Sequence, residues 1–460
     1  MSALMEFAHA RGALVSGCDE ARDGQVEHLR RVGLEIAAGH APQHADEADE
    51  LVYTPAVPSD HPELVRARSM GKPTHARMAM LGRLARGCAA VCVTGSHGKT
   101  TTTWMIAHLL IRAGRDPTVL VGGVVPSLGS NFRLGAFDGR GPRSELVIEA
   151  DESDNRLGEL VPTWPVATNI DNDHLDHFGS LESLRDATSR FLESAARSGD
   201  RRAALFACGD DAPARHALER AAASTGLPHW DYGFSRARRV RAERVQLGEL
   251  WSRFDARGPF GLFSKLELPM PGRHNVLNAL AAIAVAWRMG LSEEAIRAGL
   301  ATCERVGRRF EIKGCVGGVR VIDDYGHHPT EIAATLRAAR AAGRGRLAVL
   351  FQPHRYTRTA LLMDRFARCL ADSGAELIVL LPVYAASEPP LPDASHTVLA
   401  RRIRALGRRR VEALDSRRQA VALLREWAQA GDTVLVQGAG DVTKAGAELV
   451  EAIGRSSAGH

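Results

Sequence analysis

The stretch AAVCVTGSHGKTT, residues 89–101, decides the fold of this chain. An apolar run of strand length leads directly into a glycine-containing loop and then into a helical stretch. Glycines let the backbone curl so that several N–H groups and a helix N-terminus face one point, which suits phosphate oxygens. We therefore predict a nucleotide-phosphate loop, in which Lys99 supplies positive charge and Thr100 a hydroxyl for Mg²⁺. We call this segment the phosphate loop, and it consists of Gly95, Ser96, His97, Gly98, Lys99, Thr100 and Thr101.

Length and composition indicate an ordinary globular protein. The chain has 460 residues, of which 45% are hydrophobic and 25% charged, and at roughly 150 residues per domain this length predicts about three domains. No apolar run reaches the roughly 18 residues that a membrane span needs. No export signal is visible at the N-terminus. We therefore expect a cytoplasmic protein without a membrane partner.

The charged residues and the cysteines exclude further classes of protein. The net charge is only +5, and the basic residues are scattered among acidic ones, so we expect no nucleic-acid partner. The seven cysteines form no CxxC pair, and their odd number argues against a disulfide framework. Of the 59 basic residues only five are lysines, which makes a lysine in a glycine loop notable: Lys72, Lys99, Lys265, Lys313 and Lys444.

Short apolar runs alternate with amphipathic helical stretches along nearly the whole chain, which is typical of parallel α/β sheets. Boundaries near residues 87 and 305 divide it into three predicted domains: 1–87, 88–304 and 305–460. The predicted strands are residues 13–19, 51–54, 89–94, 145–150, 165–170, 319–323, 347–351, 377–381 and 433–437. A buried helix is predicted over residues 276–287.

Polar motifs follow two predicted strands of the middle domain. Glu149 opens the segment EADESD at one strand end, and residues 169–177 read NIDNDHLDH after the next. Ligands of open α/β sheets bind at the carboxyl ends of the strands, where Glu149 could coordinate Mg²⁺ beside the phosphate loop. His174 could bind a second metal ion or contact a phosphorylated intermediate, whereas His177 is more typical of a structural residue.

Three further motifs point to ligand contacts. Asn275 and Asn278 are one helical turn apart, so both amides could contact a base edge, although Asn275 could instead cap the helix. In the last domain, DDYGHHP (323–329) and QPHRYTR (352–358) each follow a predicted strand. Arg355 and Arg358 could clamp a carboxylate or phosphate. Asp324 could bind a ribose hydroxyl.

These motifs together resemble the Mur ligase family, and within it the branch that adds L-alanine. The resemblance implies three domains: a Rossmann-like domain for a UDP-sugar, a central P-loop ATPase and a Rossmann-like C-terminal domain that closes over both. The matching stretches keep the family's order and span nearly the whole chain: 95–103, 122–135, 149–154, 169–179, 272–278, 307–311, 323–332, 352–359, 383–388 and 438–441.

The resemblance implies an ATP- and Mg²⁺-dependent ligase that joins L-alanine to the carboxylate of UDP-N-acetylmuramate in peptidoglycan biosynthesis, as a monomer or homodimer. Lys99 would contact the β- and γ-phosphates, and Thr100, Glu149 and His174 would bind Mg²⁺. The remaining implied roles are adenine contact by Asn278 and Tyr325 with His274 nearby, phosphate contact by Arg309, ribose contact by Asp324, and binding of the acyl intermediate and the amino-acid carboxylate by His327, Arg355 and Arg358.

Some positions depart from the family pattern. Family members open with a strand and a glycine-rich loop for the UDP pyrophosphate, and Met1-Ser2 lies where that motif would end, so we expect an incomplete N-terminal domain and an internal start site. Ser387 stands where glycine is usual. The absence of lysine between Lys99 and Lys265 fits the alanine-adding branch, because several relatives carry a carbamylated lysine there.

Two alternatives remain open at this point. One is a murein-recycling ligase that attaches the tripeptide L-Ala-γ-D-Glu-meso-diaminopimelate to the same nucleotide sugar. The other is a catalytically impaired nucleotide-binding homologue. The motifs at residues 352–359 and 384–388 favour alanine addition over the first, and intact Lys99, Thr100, Glu149, His174 and Arg358 argue against the second.

Overall fold

A computed structural model of the protein describes residues 1–20, 24–54, 57–136, 145–152, 156–172, 178–343, 345–407 and 410–457. The chain divides into two compact units. The first contains residues 1–245, 254–267 and 275–304. The second contains residues 246–253, 268–274 and the chain from residue 305 onward.

Both units contain helices and strands. The helices are α1 (Ser2–Ala10), α2 (Gly24–Arg31), α3 (Pro62–Ser69), α4 (Arg77–Leu84), α5 (Lys99–Arg112), α6 (Leu181–Glu193), α7 (Ala212–Thr225), α8 (Arg273–Arg288), α9 (Glu293–Ala301), α10 (Pro329–Ala342), α11 (Tyr356–Leu361), α12 (Met363–Ala371), α13 (His396–Ala405), α14 (Arg417–Trp427) and α15 (Thr443–Ser457). Short 3₁₀ helices cover Pro42–Ala45, Leu157–Glu159 and Ser194–Ser198.

The strands are β1 (Ser16–Asp19), β2 (Glu35–Ala38), β3 (Leu51–Tyr53), β4 (Thr74–Ala76), β5 (Ala89–Thr94), β6 (Thr118–Val125), β7 (Ser130–Arg133), β8 (Glu145–Glu149), β9 (Trp164–Ala167), β10 (Leu205–Cys208), β11 (His229–Gly233), β12 (Val240–Leu247), β13 (Ser252–Gly258), β14 (Gly261–Leu268), β15 (Glu311–Val316), β16 (Val319–Asp324), β17 (Leu347–Phe351), β18 (Leu377–Leu380), β19 (Val411–Ala413) and β20 (Thr433–Gln437).

The large sheet of the first unit is organised around β5. Its order is β14-β13-β12-β11-β10-β9-β5-β8-β6-β7, and β5 pairs in parallel with β8 and β9, with Val91 opposite Val147 and Trp164. All six residues of β5 are buried, as expected for a strand with helices on both faces of the sheet. The carboxyl ends of β5, β8 and β9 therefore lie together at one edge of the sheet.

Residues 1–88 contribute two smaller parallel sheets, β1-β2 and β3-β4. Helix α1 buries Leu4 and Phe7. The centroid of the Phe7 ring lies 6.2 Å from that of Phe132 in β7, the edge strand of the large sheet. Ser2 and Glu6 also form side-chain hydrogen bonds to Asn131 and Ser130. The N-terminal helix thus packs against β7 within the first unit.

The second unit is built on a six-stranded sheet in the order β15-β16-β20-β17-β18-β19. Only β15 is antiparallel to its neighbour; β16, β20, β17, β18 and β19 pair in parallel. Every residue of β17, β18 and β20 is buried. Asp324 at the end of β16 lies opposite Gln437 at the end of β20, so polar side chains gather at the carboxyl edge of this sheet too.

The predicted α/β class is confirmed, and β5, β17 and β20 keep their predicted bounds. Predicted strand 13–19 is shorter, because it begins at Ser16, and the predicted buried helix extends to Arg273–Arg288. The run from β11 to β14 was not predicted, and neither were β2, β4, β6, β7, β10, β15 and β19. The strands of the run from β11 to β14 have mixed burial rather than apolar cores, so they lack the signal by which the predicted strands were found.

All seven cysteines are free, in agreement with the prediction of no disulfide framework. Among the described residues, no helix has the length and apolar character needed to cross a membrane. Cys92 is buried in β5 and Cys88 is half-buried before it.

Ser387 adopts a left-handed backbone conformation with φ +69°. An L-residue in this region costs roughly 1–2 kcal/mol, whereas glycine has no such steric penalty. We expect Ser387→Gly to raise the free energy of unfolding by about 0.5–1 kcal/mol, the gain being reduced by the greater freedom of glycine in the unfolded chain. Urea unfolding of both proteins measures the difference.

The matched control is Ser59→Gly, because Ser59 is exposed and lies outside the positive-φ residues. At residue 59 glycine only increases the conformational freedom of the unfolded chain, so the free energy of unfolding should fall by about 0.4–1 kcal/mol. Equal losses in both variants would show that the backbone at residue 387 carries no relievable strain.

Candidate functional site

The phosphate loop connects β5 to α5 at the centre of the large sheet. Gly95 has φ +124° and Gly98 has φ +81°, both in the left-handed region that favours glycine. Each is also closely approached: a Cβ on Gly98 would lie 2.6 Å from Oδ1 of Asn278, and one on Gly95 would collide with Oγ1 of Thr168. The loop is therefore possible only with glycine at these two positions.

The segment after β9 holds the loop in place. Oδ1 of Asn169 accepts a hydrogen bond from the backbone N–H of His97 at 2.8 Å, and its Nδ2 donates to the carbonyl of His97 at 2.9 Å. The Thr168 hydroxyl donates to the same carbonyl at 2.7 Å. Asp171 lies 3.2 Å from Nε2 of His97, and its N–H donates to Oγ of Ser96 at 2.9 Å. The loop is thus fixed before any ligand binds.

Lys99, the first residue of α5, turns back over the loop. Its Nζ donates to the carbonyl of Gly95 at 2.7 Å and to Oε1 of Glu152 at 2.8 Å. Burial disfavours the charged ammonium, but the carboxylates of Glu152, Asp151 and Glu149 outweigh that effect and raise the pKa of Lys99. The side chain therefore remains a cation. Glu152 is itself only 1% exposed, so the two form a buried ion pair.

Glu149, at the end of β8, lies against β6. The N–H of Gly122 donates to its Oε2 at 2.7 Å, and a Cβ at residue 122 would collide with the carboxylate. Thr100 is buried in the first turn of α5. A hydroxyl and a carboxylate beside a phosphate loop are the hard oxygen donors that Mg²⁺ prefers. These residues therefore fit the predicted magnesium site. His174 and His177 lie outside the described residues.

Asn275 and Asn278 share one face of α8, as predicted, and their side chains are hydrogen-bonded, with Nδ2 of Asn278 donating to Oδ1 of Asn275 at 3.3 Å. Both are buried. Because Asn278 also borders Gly98, the structure brings it to the phosphate loop. A contact between Asn278 and adenine stays a prediction.

In the second unit, Asp324 is the centre of a hydrogen-bond network. Its Oδ1 accepts from the N–H of Gly326, the hydroxyl of Thr335 and Nε2 of Gln437, at 2.9, 3.1 and 2.8 Å, and its Oδ2 accepts from the N–H of Phe310 at 2.9 Å. Oδ1 thus accepts three of the four bonds and Oδ2 accepts one. Asp324 thus fixes the local backbone, and its contact with a ribose hydroxyl stays a prediction.

Tyr325 lies between two arginines. The guanidinium carbons of Arg308 and Arg309 are 5.0 and 5.1 Å from its ring centroid, which is cation–π distance. The ring also meets that of His327 edge-on at 5.4 Å. Arg309 and Tyr325, predicted to contact phosphate and adenine, are therefore neighbours. His274 is half-buried in the same unit, and its desolvation lowers its pKa although the charge of Asp324 acts in the opposite direction.

Arg355 and Arg358 follow the carboxyl end of β17 in the chain. Arg355 has φ +68°, and its guanidinium donates to Glu388, which also accepts the N–H of Thr357 at 2.9 Å. Arg358 lies 3.4 Å from Nδ1 of His354. The His354 ring stacks on Tyr384 at 5.4 Å and is 5.8 Å from the ring of His327. The predicted set of His327, Arg355 and Arg358 therefore lies around His354.

Several residues on which these sites depend were not predicted from the sequence. Glu152 pairs with Lys99, Gln437 holds Asp324, and Glu388 orients Arg355. Glu152 and Glu388 lay within quoted motifs, but their partners depend on the three-dimensional structure. Gln437 carried one signal, a polar residue at the end of a buried strand.

Comparisons with known proteins agree with this geometry. The Mur ligase family catalytic domain matches residues 1–88, the Mur ligase middle domain residues 93–286, and the Mur ligase glutamate ligase domain residues 308–440. The chain belongs to the Mur ligase family. Among curated Mur ligases, the UDP-N-acetylmuramate–L-alanine ligase of Phenylobacterium zucineum is 41% identical over 96% of this chain and 91% of its own length.

Solved Mur ligase structures share the fold. The UDP-N-acetylmuramate-alanine ligase MurC of Thermotoga maritima aligns with a TM-score of 0.79 and 28% identity, over 100% of this chain and 97% of that one. The murein peptide ligase of Psychrobacter arcticus aligns with a TM-score of 0.69 and 22% identity, over 99% and 96% of the two chains. At that identity, the second similarity shows the fold alone.

In this Mur ligase, burial and the charges of Arg358 and Arg355 lower the pKa of His354 to about 4. The unfolded chain, with a pKa near 6.5, therefore takes up a proton first as the pH falls. We expect the free energy of unfolding to decrease between pH 6.5 and 4 by up to roughly 3 kcal/mol through this group. His354→Gln should reduce that decrease, as urea unfolding at several pH values would show.

The control is His216→Gln, because His216 is an exposed histidine on α7. It should retain the pH dependence of the wild type. An unchanged pH dependence in His354→Gln would mean that His354 titrates alike in the folded and unfolded chains.

Proposed function

We propose that this chain is an ATP-dependent ligase that joins L-alanine to the carboxylate of UDP-N-acetylmuramate in peptidoglycan biosynthesis. The observation that carries the proposal is 41% identity, over nearly the full length of both chains, to a ligase of that name. The phosphate loop with its buried Lys99 supports the ATP-dependent step. The similarity of the MurC structure supports the same branch.

The first unit performs the phosphoryl transfer. A carboxylate is a poor electrophile, so the muramoyl carboxylate first attacks the γ-phosphorus of ATP, forms an acyl phosphate and releases ADP. Lys99 and the backbone N–H groups of the phosphate loop stabilise charge on the transferring group. Mg²⁺, held by Thr100, Glu149 and the predicted ligand His174, would neutralise phosphate charge. Glu152 keeps the Lys99 ammonium in place over the loop.

The second unit supplies groups for the second step. The amino group of L-alanine attacks the acyl carbon, and phosphate leaves from a tetrahedral intermediate. Arg358 and Arg355 are proposed to bind the carboxylate of L-alanine and the acyl phosphate. The left-handed backbone at Arg355 and its bond to Glu388 orient the guanidinium before substrate binds. His327 is held at the start of α10, where its N–H donates to Oε2 of Glu331 at 3.0 Å.

Steady-state phosphate release tests the proposed function. With ATP, Mg²⁺ and UDP-N-acetylmuramate present, we expect L-alanine to support turnover and the tripeptide L-Ala-γ-D-Glu-meso-diaminopimelate not to. Turnover with the tripeptide alone would make the chain a murein-recycling ligase. No phosphate release with either amine would support the catalytically impaired homologue.

The Lys99–Glu152 ion pair gives a second test. Glu152→Gln keeps the shape of the side chain but removes the charge that holds the Lys99 ammonium over the loop. We expect kcat/KM for ATP to fall by roughly 10- to 100-fold, less than the roughly 10²- to 10³-fold typical of losing a direct transition-state donor, which we expect for Lys99→Met.

The matched control is Glu159→Gln, since Glu159 is exposed in the 3₁₀ helix that follows. It should keep wild-type kinetics. If Glu152→Gln has the same kcat/KM as this control, the ion pair has no part in positioning Lys99.

A further inference from the structure

Five side chains of the types that bind metal ions lie close together in the N-terminal region, distant in sequence from the phosphate loop. They come from β1, the loop after β2, the 3₁₀ helix at residues 42–45, and the start of α3. We call them the N-terminal cluster, and they are Cys18, His40, His44, His61 and Glu63. None of these residues has a part in the phosphoryl-transfer chemistry described above.

The donor atoms of this cluster fall into two groups of three that share Glu63: those of Cys18, His44 and Glu63 lie within 4.8 Å of one another, and so do those of His40, His61 and Glu63. Sγ of Cys18 lies 3.1 Å from Oε1 of Glu63 and 3.2 Å from Nδ1 of His40. Nδ1 of His44 lies 2.7 Å from Oε1 of Glu63, and Nδ1 of His40 lies 3.8 Å from the same oxygen. With zinc–ligand bonds of about 2.0–2.3 Å, the edges of a tetrahedral site measure about 3.3–3.6 Å. The observed separations bracket these values.

His61 supports the arrangement of the other four side chains of the N-terminal cluster. Its ring meets that of His40 edge-on, with centroids 4.9 Å apart, and its Nδ1 is 4.0 Å from Oε2 of Glu63. His61 therefore restricts the orientation of the His40 imidazole, as partners of metal ligands commonly do.

The donor types favour Zn²⁺ over Mg²⁺. Thiolate sulfur and imidazole nitrogen suit zinc, whereas Mg²⁺ prefers oxygen ligands. A thiolate and a carboxylate together carry two negative charges, which balance the charge of the ion. Glu63 is buried, while His40 and His44 are exposed enough to admit an ion from solvent.

We propose that Cys18, His40, His44 and Glu63 bind one Zn²⁺ ion. On binding, the sulfur–hydrogen bond of Cys18 breaks, a sulfur–zinc bond forms, and the proton is released to solvent. No electron transfer is involved. The ion would join β1 and the loop after β2 to α3, which leads into β4. It would thereby link the β1-β2 sheet to the segment that forms the β3-β4 sheet.

Such a link would stabilise this region, because zinc sites close long loops and their binding free energy adds to that of folding. The two small sheets share no strand pairing among the described residues. A structural zinc site would compensate for their small size.

Metal analysis and cobalt spectroscopy of the tag-free full-length protein test the site. We expect one zinc per chain after purification without chelators. Exchange for Co²⁺ should give a thiolate-to-cobalt charge-transfer band and the intense visible bands of a four-coordinate ion. Competition with a chromophoric chelator then measures the Kd for Zn²⁺.

Cys18→Ser should remove the charge-transfer band and raise the Kd for Zn²⁺ at least about 100-fold, because loss of a direct ligand should exceed the 10- to 100-fold cost of losing an outer partner. His44→Asn should raise the Kd but keep the band. The matched control, Cys315→Ser, removes an exposed cysteine of β15 and should bind Zn²⁺ and Co²⁺ like the wild type.

Thermal unfolding provides a readout independent of the band. Added Zn²⁺ should raise the midpoint of the wild type and of Cys315→Ser, and not that of Cys18→Ser. Substoichiometric zinc, a cobalt spectrum without the thiolate band, or the same band in Cys18→Ser would each overturn the proposal. None of these measurements uses ligase activity, so their outcome is separate from that of the proposed function.

Discussion

The buried ion pair of Lys99 and Glu152 is the interaction on which the nucleotide site depends. A lysine held at the N-terminus of α5 meets the positive end of the helix dipole, and burial adds a desolvation cost. Only neighbouring carboxylates can keep its ammonium charged there. The parallel pairing of β5 with β8 provides them, because it places the end of β8 beside the end of β5.

The parallel pairing of β6 with β8 and of β5 with β9 explains why the glycines of this edge cannot be replaced. Strands spaced for hydrogen bonding bring Glu149 against Gly122 and Thr168 against Gly95, with no room for a Cβ. Close approach of backbones lets the loop and two strand ends share one small volume. The oxygen ligands that suit Mg²⁺ thus lie at the carboxyl ends of the strands, where ligands of open α/β sheets bind.

The sequence predicted the parts of this structure that rest on local patterns. Runs of buried residues identified β5, β17 and β20, and the glycine loop identified the phosphate site. Such patterns could not predict contacts between residues that are far apart in the chain. Glu152 was one of several acidic residues in its motif, and only the fold places it beside Lys99. The half-exposed strands β12 and β14 were missed because their alternation is irregular. The N-terminal cluster was missed because its members lie in four separate segments.

Asp324 illustrates how the second unit differs from the first. At the phosphate loop, Lys99 is bound by one side chain and by backbone carbonyls that a phosphate could displace. Asp324 instead accepts four bonds that define the backbone from Phe310 to Gly326 and tie β16 to β20. Replacing one of them would loosen the turn that carries Tyr325 and His327. A ligand that displaced one of these donors would therefore also have to stabilise this turn, which would couple its binding to the ordering of His327.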